Sequence, residues 1–482
     1  MEKRDGKVGL FGLTALIVGS SIGSGIFALP ATLTAGANAE GILIGWLIVG
    51  MGMLSLVSVY RNLTLRQPDI DDGIYGWSKG AFGHFGGFIG AFGHGAGDAI
   101  GNASYLVVIF SALGAFGAFS FFGEGTTWPA VIVASVVLWT INFLVLRGVR
   151  SSTTVNNITT VAKVIPIALF IILAIFHFNV HTFLNTFGST TILDPVTGKY
   201  GHASIFTQSR SVLLATMWTL IGVESGTIFA TRARKLSDVA KATMIGAVIV
   251  ITLLVGTTVL ALGLMAPSKI SLLHHPSMAG LMSSMVGPWG GMLINISLII
   301  SVLGALIAWV TLSAEEVRLS GRGGSTTKWI NGLNRHEAPI NSLWITTGIT
   351  QVLMIIAGIW NAGYIVLLSF STSLALIPYL FSSIYALKSA ISGKGYQDNH
   401  GRIREGIFAG IAVSFVIFMI YGAGLRYLLL AAIVWSAGLP FFFKGKAERR
   451  EHLTGIEWGA SLIVIALAII GLIGLFTGMI TF

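Results

Sequence analysis

His94, Asp98 and Asn102 stand four residues apart in a stretch where Asp98 is the one Asp, Glu, Lys or Arg between Lys79 and Glu124. On a helix these three share a face, and Gly93, Gly97 and Gly101 form a small-residue stripe beside it. Asp98 lies about 16 residues from Phe82 and about 20 from Ala118, which at 1.5 Å per residue puts it near the middle of a membrane crossing. An acid at that depth is costly and needs a cavity or a partner. Two readings are open. Asp98 receives the cationic or imidazole end of a ligand, or it is buried, satisfied by His94 or a neighbouring hydroxyl, and tunes packing. Glu224 is the second acid at such a depth. It could titrate, pair with a ligand amine and couple its charge to gating, with His94 as a further proton-coupling candidate; or it could accept backbone hydrogen bonds and hold its own segment together.

Two apolar stretches carry glycines at a density that weakens a helix by up to about 1 kcal/mol each relative to alanine. They are Val18-Gly19-Ser20-Ser21-Ile22-Gly23-Ser24-Gly25-Ile26-Phe27 and Trp218-Thr219-Leu220-Ile221-Gly222-Val223-Glu224-Ser225-Gly226. Broken helices free backbone groups, which a membrane tolerates only where they face protein, water or a ligand. A helix restarting at Gly25-Ile26 offers N–H donors and its positive dipole end to a carboxylate, with the Ser24 hydroxyl beside them. Carbonyls freed around Ser21-Ile22 and Ile221-Gly222 suit an ammonium group. An α-amino acid carries both charges on one carbon. The competing reading is that these glycines only let helices cross closely. Trp218 and Trp309 could cover a cationic ligand face-on, although most of the twelve tryptophans are better read as packing or interfacial residues.

The elements that must position these groups are membrane helices. The chain has 482 residues, 54% hydrophobic and 10% charged, which excludes an ordinary soluble protein. Apolar runs predict thirteen spans near 8–36, 38–60, 82–118, 127–147, 155–178, 207–231, 240–266, 282–314, 340–360, 363–388, 405–422, 425–443 and 456–481. Loops on the N-terminal side hold 24 of the 29 Lys and Arg residues, so the positive-inside rule makes the N-terminus cytoplasmic and accounts for the net charge of +10 without nucleic acid. Lys163 lies inside a span. The broken spans are five apart, the pattern of an inverted-repeat transporter with its site at the midplane. Residues 1–180 and 181–390 are then the two repeats, and 391–482 an accessory segment. The largest loops, His181–Thr207 and Glu315–Pro339, are too small to house an enzyme.

Other motifs carry less. Pro68-Asp69-Ile70-Asp71-Asp72-Gly73 lacks a full calcium loop, and His274-His275 reads as an exposed turn. Gly19-Ser20-Ser21-Ile22-Gly23 fits a hydrolase pattern but sits inside a span rather than at a strand-to-helix turn. There is no His-Glu-x-x-His and no phosphate-loop motif, so neither a metal site nor ATP-driven transport is expected, and zero cysteines exclude thiolate chemistry.

Gly23-Ser24-Gly25-Ile26-Phe27 with Pro30, the Trp218–Ser225 run, Ile100-Gly101-Asn102 and Ile377-Pro378-Tyr379 together resemble the amino acid–polyamine–organocation superfamily and its basic amino acid/polyamine antiporters. Pro68–Asp71 with Gly73-Ile74-Tyr75, and Ala338–Trp344, look most like the arginine/ornithine branch, near which histidine/histamine exchangers cluster. The resemblance implies an all-α integral membrane protein of the leucine-transporter fold, two inverted five-helix repeats plus C-terminal helices. It also implies obligate exchange of an amino acid for its metabolic product, with no bound cofactor. It assigns the substrate carboxylate to Ser24 and Gly25, and the amine to carbonyls of Ser21, Trp218 and Ile221. Stacking and gating fall to Trp218 and Trp309, a transport role to Glu224, side-chain contact to Asn102, and a polar group on span 10 to the vicinity of Ser369. Two features depart from the pattern. Relatives commonly have a small or weakly polar residue where Asp98 stands, which points to a preference for a basic or imidazole side chain. A thirteenth span replaces the usual twelve.

The expectation is therefore a secondary-active antiporter in the bacterial cell membrane, trading histidine for histamine or arginine for ornithine. The alternative is a proton-coupled symporter of the same fold, with Glu224 or Asp98 carrying the proton. The expected partners are small amino acids and amines and the lipid bilayer, with a homodimer left open.

Overall fold

The computed structural model describes residues 9–70, 72–148, 153–195, 197–223, 234–396 and 401–480. Among them the principal helices are α1 (Leu10–Ser21), α2 (Gly25–Thr34), α3 (Ala39–Arg66), α4 (Gly73–Gly114), α5 (Trp128–Leu146), α6 (Thr153–His177), α7 (Ile205–Trp218), α8 (Leu236–Leu264), α9 (Ser277–Val286), α10 (Pro288–Arg322), α11 (Ile340–Trp360), α12 (Tyr364–Ser392), α13 (Arg402–Glu448) and α14 (Gly455–Phe476). Nine of these are long and apolar enough to cross a membrane, and every predicted span has a helical counterpart, which makes this an all-α integral membrane protein.

The first predicted span is two half-helices, α1 and α2, separated at Ile22-Gly23-Ser24. Spans 11 and 12 form one 47-residue element, α13, bent where Gly424 takes φ 76° and ψ 168°. At 1.5 Å per residue that element would be about 70 Å long if straight, so the bend makes it two crossings.

Three boundaries differ from the hydropathy reading. Residues 73–81 form a helix that meets the rest of α4 at Phe82-Gly83, where Gly83 has φ 66°. The eighth span was expected from residue 282, but α9 ends at Val286, and Gly287 (φ 90°) with Pro288 starts α10 anew. Helix α10 then runs to Arg322, so Glu315 and Glu316, expected in a loop, are helical. An apolar run marks where hydrocarbon ends, not where hydrogen bonding ends.

The loop His181–Thr207 holds a two-stranded antiparallel hairpin, β1 (Thr191–Leu193) and β2 (Tyr200–His202). It is tied to the start of α3: the Asn38 amide donates to the carbonyls of Ser189 and Thr191, at 3.1 and 2.8 Å. Gln208 on α7 accepts from the Asn38 N–H at 2.8 Å.

Helix α4 is the central post, buried along nearly its whole length after the kink. Its glycines permit this. A Cβ on Gly97 would lie 3.1 Å from Leu374 Cβ and 3.2 Å from the Ser371 carbonyl of α12, and one on Gly95 would lie 2.7 Å from the Ser313 carbonyl of α10. Backbone approaches this close are the reward of small residues at helix crossings, and they fix the depth and azimuth of Asp98.

Candidate functional site

The interruption of the first span is built from Ile22 (φ −79°, ψ 89°), Gly23 and Ser24, after which Gly25 opens α2. Its carbonyls are partly claimed from within the protein. Lys163 on α6 donates its ammonium protons to the carbonyls of Gly19 (2.6 Å) and Ile22 (3.0 Å). The carbonyl of Ser21 accepts from Gly23 N–H at 3.0 Å, and the Ser21 hydroxyl donates to Ile17 at 2.8 Å. The sequence marked Lys163 only as a charge inside a span. Its partner, the broken helix, supplies the reason for that charge.

In the sixth span, α7 ends at Trp218 and residues 219–223 turn, with Ile221 N–H donating to the Trp218 carbonyl at 3.1 Å and Gly222 at φ 103°. Glu224, the second candidate acid, lies outside the described residues.

The two interruptions face each other across one cavity. Ser21 and Gly25 line it from the first span and Trp218 and Ile221 from the sixth, with Asp98 and Asn102 of α4 and Trp309 of α10 completing the wall. These are seven of the expected site residues. The free space is about 30 Å³, room for two or three waters and too little for an amino acid with a long side chain, so loading requires the wall to part. Closure is tight at Gly25, where a Cβ would fall 2.5 Å from Thr219 Cγ2.

Three expected residues stand elsewhere. Ser24 is fully buried behind the wall and shares a 3.1 Å hydrogen bond with the Tyr364 hydroxyl. Ser369 is buried on α12 away from the cavity, and Ser371 lines it instead, donating to the Gly97 carbonyl at 2.7 Å. Two residues turn a helix by about 200°, which exchanges one face for the other. His94 sits one turn from Asp98 behind the wall: its Nδ1 is 3.8 Å from an Asp98 oxygen and 2.7 Å from a Glu316 oxygen of α10. The imidazole and both carboxylates lie within 4.8 Å of one another. The 2.7 Å contact is a hydrogen bond between the imidazole and the Glu316 carboxylate. Asp98 thus lines the cavity and has His94 beside it.

Tyr105 and Tyr364 join the site without having been singled out in the sequence. Both meet Trp218 edge-on, at 5.7 and 5.9 Å between ring centroids, an arrangement that orients the indole over the cavity. His275, expected in an exposed turn, is half-buried with its ring 5.8 Å from Tyr364, while His274 at the surface pairs with Glu124 at 3.0 Å. No short-range sequence signal reports such contacts, since the partners lie 89 to 150 residues apart.

The family model for amino acid permeases matches residues 8–440, and both helix interruptions with the cavity between them fall inside that range. The chain belongs to the amino acid permease family. This permease is a transporter, not an enzyme. It is 39% identical to the arginine/ornithine antiporter of Pseudomonas aeruginosa, over 98% of each chain. It is 34% identical to a putative arginine/ornithine antiporter of Escherichia coli, over 94% of the permease and 95% of that protein. It is also 32% identical to the L-lysine transport protein of Corynebacterium glutamicum, over 97% and 94%.

Proposed function

We propose that this permease exchanges arginine for ornithine across the bacterial cell membrane by alternating access. The observation that carries the reading is Asp98: a buried carboxylate in the wall of a cavity that the two helix interruptions and the rings of Tyr105, Trp218 and Trp309 also line. Arginine, ornithine and lysine, the molecules in the relatives' names, share a cationic side chain. Asp98 supplies its counter-charge, and Asn102 and Trp309 flank it. The N-terminus of α2, which opens at Gly25, holds the carboxylate. Carbonyls of Ser21, Trp218 and Ile221 hold the amine, and Trp218 and Glu224 act in gating.

In this reading residues 1–180 and 181–390 are inverted repeats of the leucine-transporter fold and 391–482 an accessory segment. The face with the basic loops is cytoplasmic. Histidine and histamine, whose imidazole could also meet Asp98, form the competing pair in the test.

The test is uptake of labelled arginine, ornithine, lysine and histidine into proteoliposomes at equal pH on both sides, preloaded with buffer, ornithine or histamine. Arginine uptake that depends on internal ornithine is the expected result. Uptake that ignores the vesicle contents would refute exchange, and histidine uptake driven only by internal histamine would replace the substrate pair.

A further inference from the structure

Asp98 does not stand alone, and its neighbours lead out of the cavity. Along α4 the next turn brings His94, and across from His94 lies Glu316, six residues from the end of α10 and so toward the face with the basic loops. The side chains of Asp98 and His94 are 7% and 5% exposed, that of Glu316 16%. The three groups therefore run from the cavity wall to the more exposed Glu316, with contacts of 3.8 and 2.7 Å. Both carboxylates face the same nitrogen, His94 Nδ1, which can take a proton from one and pass it to the other, and imidazole titrates in the range that suits this middle position.

The charge balance gives the series a purpose. When a cationic side chain leaves Asp98, a buried carboxylate loses its counter-charge, and an uncompensated charge in a low-dielectric interior is expensive. Exchange avoids that state because arginine and ornithine each bring a cation. A carrier returning empty does not.

We propose that Glu316 and His94 form a proton path through which a proton replaces the substrate's cationic side chain at Asp98. A proton from water on the face with the basic loops binds Glu316, passes to His94 and ends on the Asp98 carboxylate; when the next cation arrives from the other face and takes its place, the proton leaves through the cavity to that face. One proton crosses opposite to each cation, so the cycle moves no net charge. This rests on the reading that Asp98 receives the side chain.

The groups facing the cluster leave it this role. From α12 comes Tyr379, whose ring is 5.7 Å from His94, and α4 itself adds Tyr105. The nearest further charge on α10, Glu315, is held by Arg318 at 2.6 Å. Helix α13 brings Trp435 against Gly93, α7 brings Trp218 near Gly101, and α11 brings Thr350, whose hydroxyl donates to the Ala99 carbonyl.

The experiment compares two fluxes in one preparation of full-length protein in proteoliposomes: arginine uptake against internal ornithine at equal pH, and arginine uptake into vesicles without ornithine and acidic inside. Wild type should show both, the second slower and accompanied by internal alkalinisation. Glu316→Gln should lose the proton-driven uptake by about tenfold or more while ornithine exchange stays within about twofold, and Glu316→Asp should restore it. Wild type that exchanges but shows no uptake driven by internal acid would overturn the proton path and leave the exchange reading standing. Equal loss of both fluxes in Glu316→Gln, or loss of neither, would also overturn it. Absence of arginine exchange in wild type would overturn both readings.

Discussion

Gly25→Ala tests the meeting of the two helix interruptions. The added Cβ would lie 2.5 Å from Thr219 Cγ2, 3.2 Å from Trp218 Cζ3 and 3.3 Å from Thr219 Cβ. Carbon atoms in contact prefer about 3.5–4.0 Å, so one overlap is close to 1 Å and the others are slight. Overpacking of this kind costs about 1–3 kcal/mol, which corresponds to roughly 5- to 150-fold in an equilibrium constant. The cost falls on the closed arrangement, in which α2 lies against the turn after α7. Gly25→Ala should therefore weaken arginine binding and slow exchange within that range. Because one methyl group causes most of the clash, Thr219→Ser should relieve it. Serine keeps the hydroxyl that donates to the Thr216 carbonyl at 2.7 Å. The assay is a double-mutant cycle on arginine affinity and exchange rate. The pair Gly25→Ala/Thr219→Ser should recover most of the loss. A double variant no better than Gly25→Ala alone would refute the contact, and so would a single variant that exchanges like wild type.

Three further substitutions probe the other walls. Asp98→Asn should reduce selectivity for cationic over neutral amino acids, measured by competition binding, with the thermal midpoint nearly kept; equal loss for every substrate together with a collapsed midpoint would assign Asp98 to packing. Trp309→Ala should weaken arginine binding by about 0.5–2 kcal/mol, the worth of a cation–π contact between exposed and desolvated limits, and unchanged affinity would remove it from the site. Lys163→Met removes two charge-assisted hydrogen bonds, each worth about 1.5–3 kcal/mol, from carbonyls that the broken helix leaves open. It should lower the thermal midpoint in detergent, whereas an unchanged midpoint would show that other groups hold the interruption.

The two interruptions were legible in the sequence because glycine density is a local property. Asp98 was legible because a lone acid in an apolar run is conspicuous wherever it points. Glu316 was not, since the pair Glu315-Glu316 closes the hydrophobic run and reads as the start of a loop, while the backbone continues as helix to Arg322. Ser369, Ser371, Thr372 and Ser373 present polar groups around α12, and only contact with α4 selects Ser371 for the cavity. Lys163 was visible as a charge, but its partners Gly19 and Ile22 lie more than 140 residues away. Local sequence reports which groups are expensive to bury; packing decides what compensates them.

That division separates the ways the site can fail. In the proposed binding mode the α-carbon groups, which arginine and ornithine share, meet α2 and the turn after α7. The side chains, in which they differ, meet α4. Helix α4 is held by close backbone contact with α10 and α12, so Asp98 keeps its place when the interruptions are disturbed. Gly25→Ala should accordingly weaken arginine and ornithine by the same factor and leave their ratio intact, whereas Asp98→Asn should change that ratio. Paired dissociation constants for the two amino acids on each variant measure this directly. A ratio that moves with Gly25→Ala and stays fixed with Asp98→Asn would reverse the assignment of backbone and side-chain recognition.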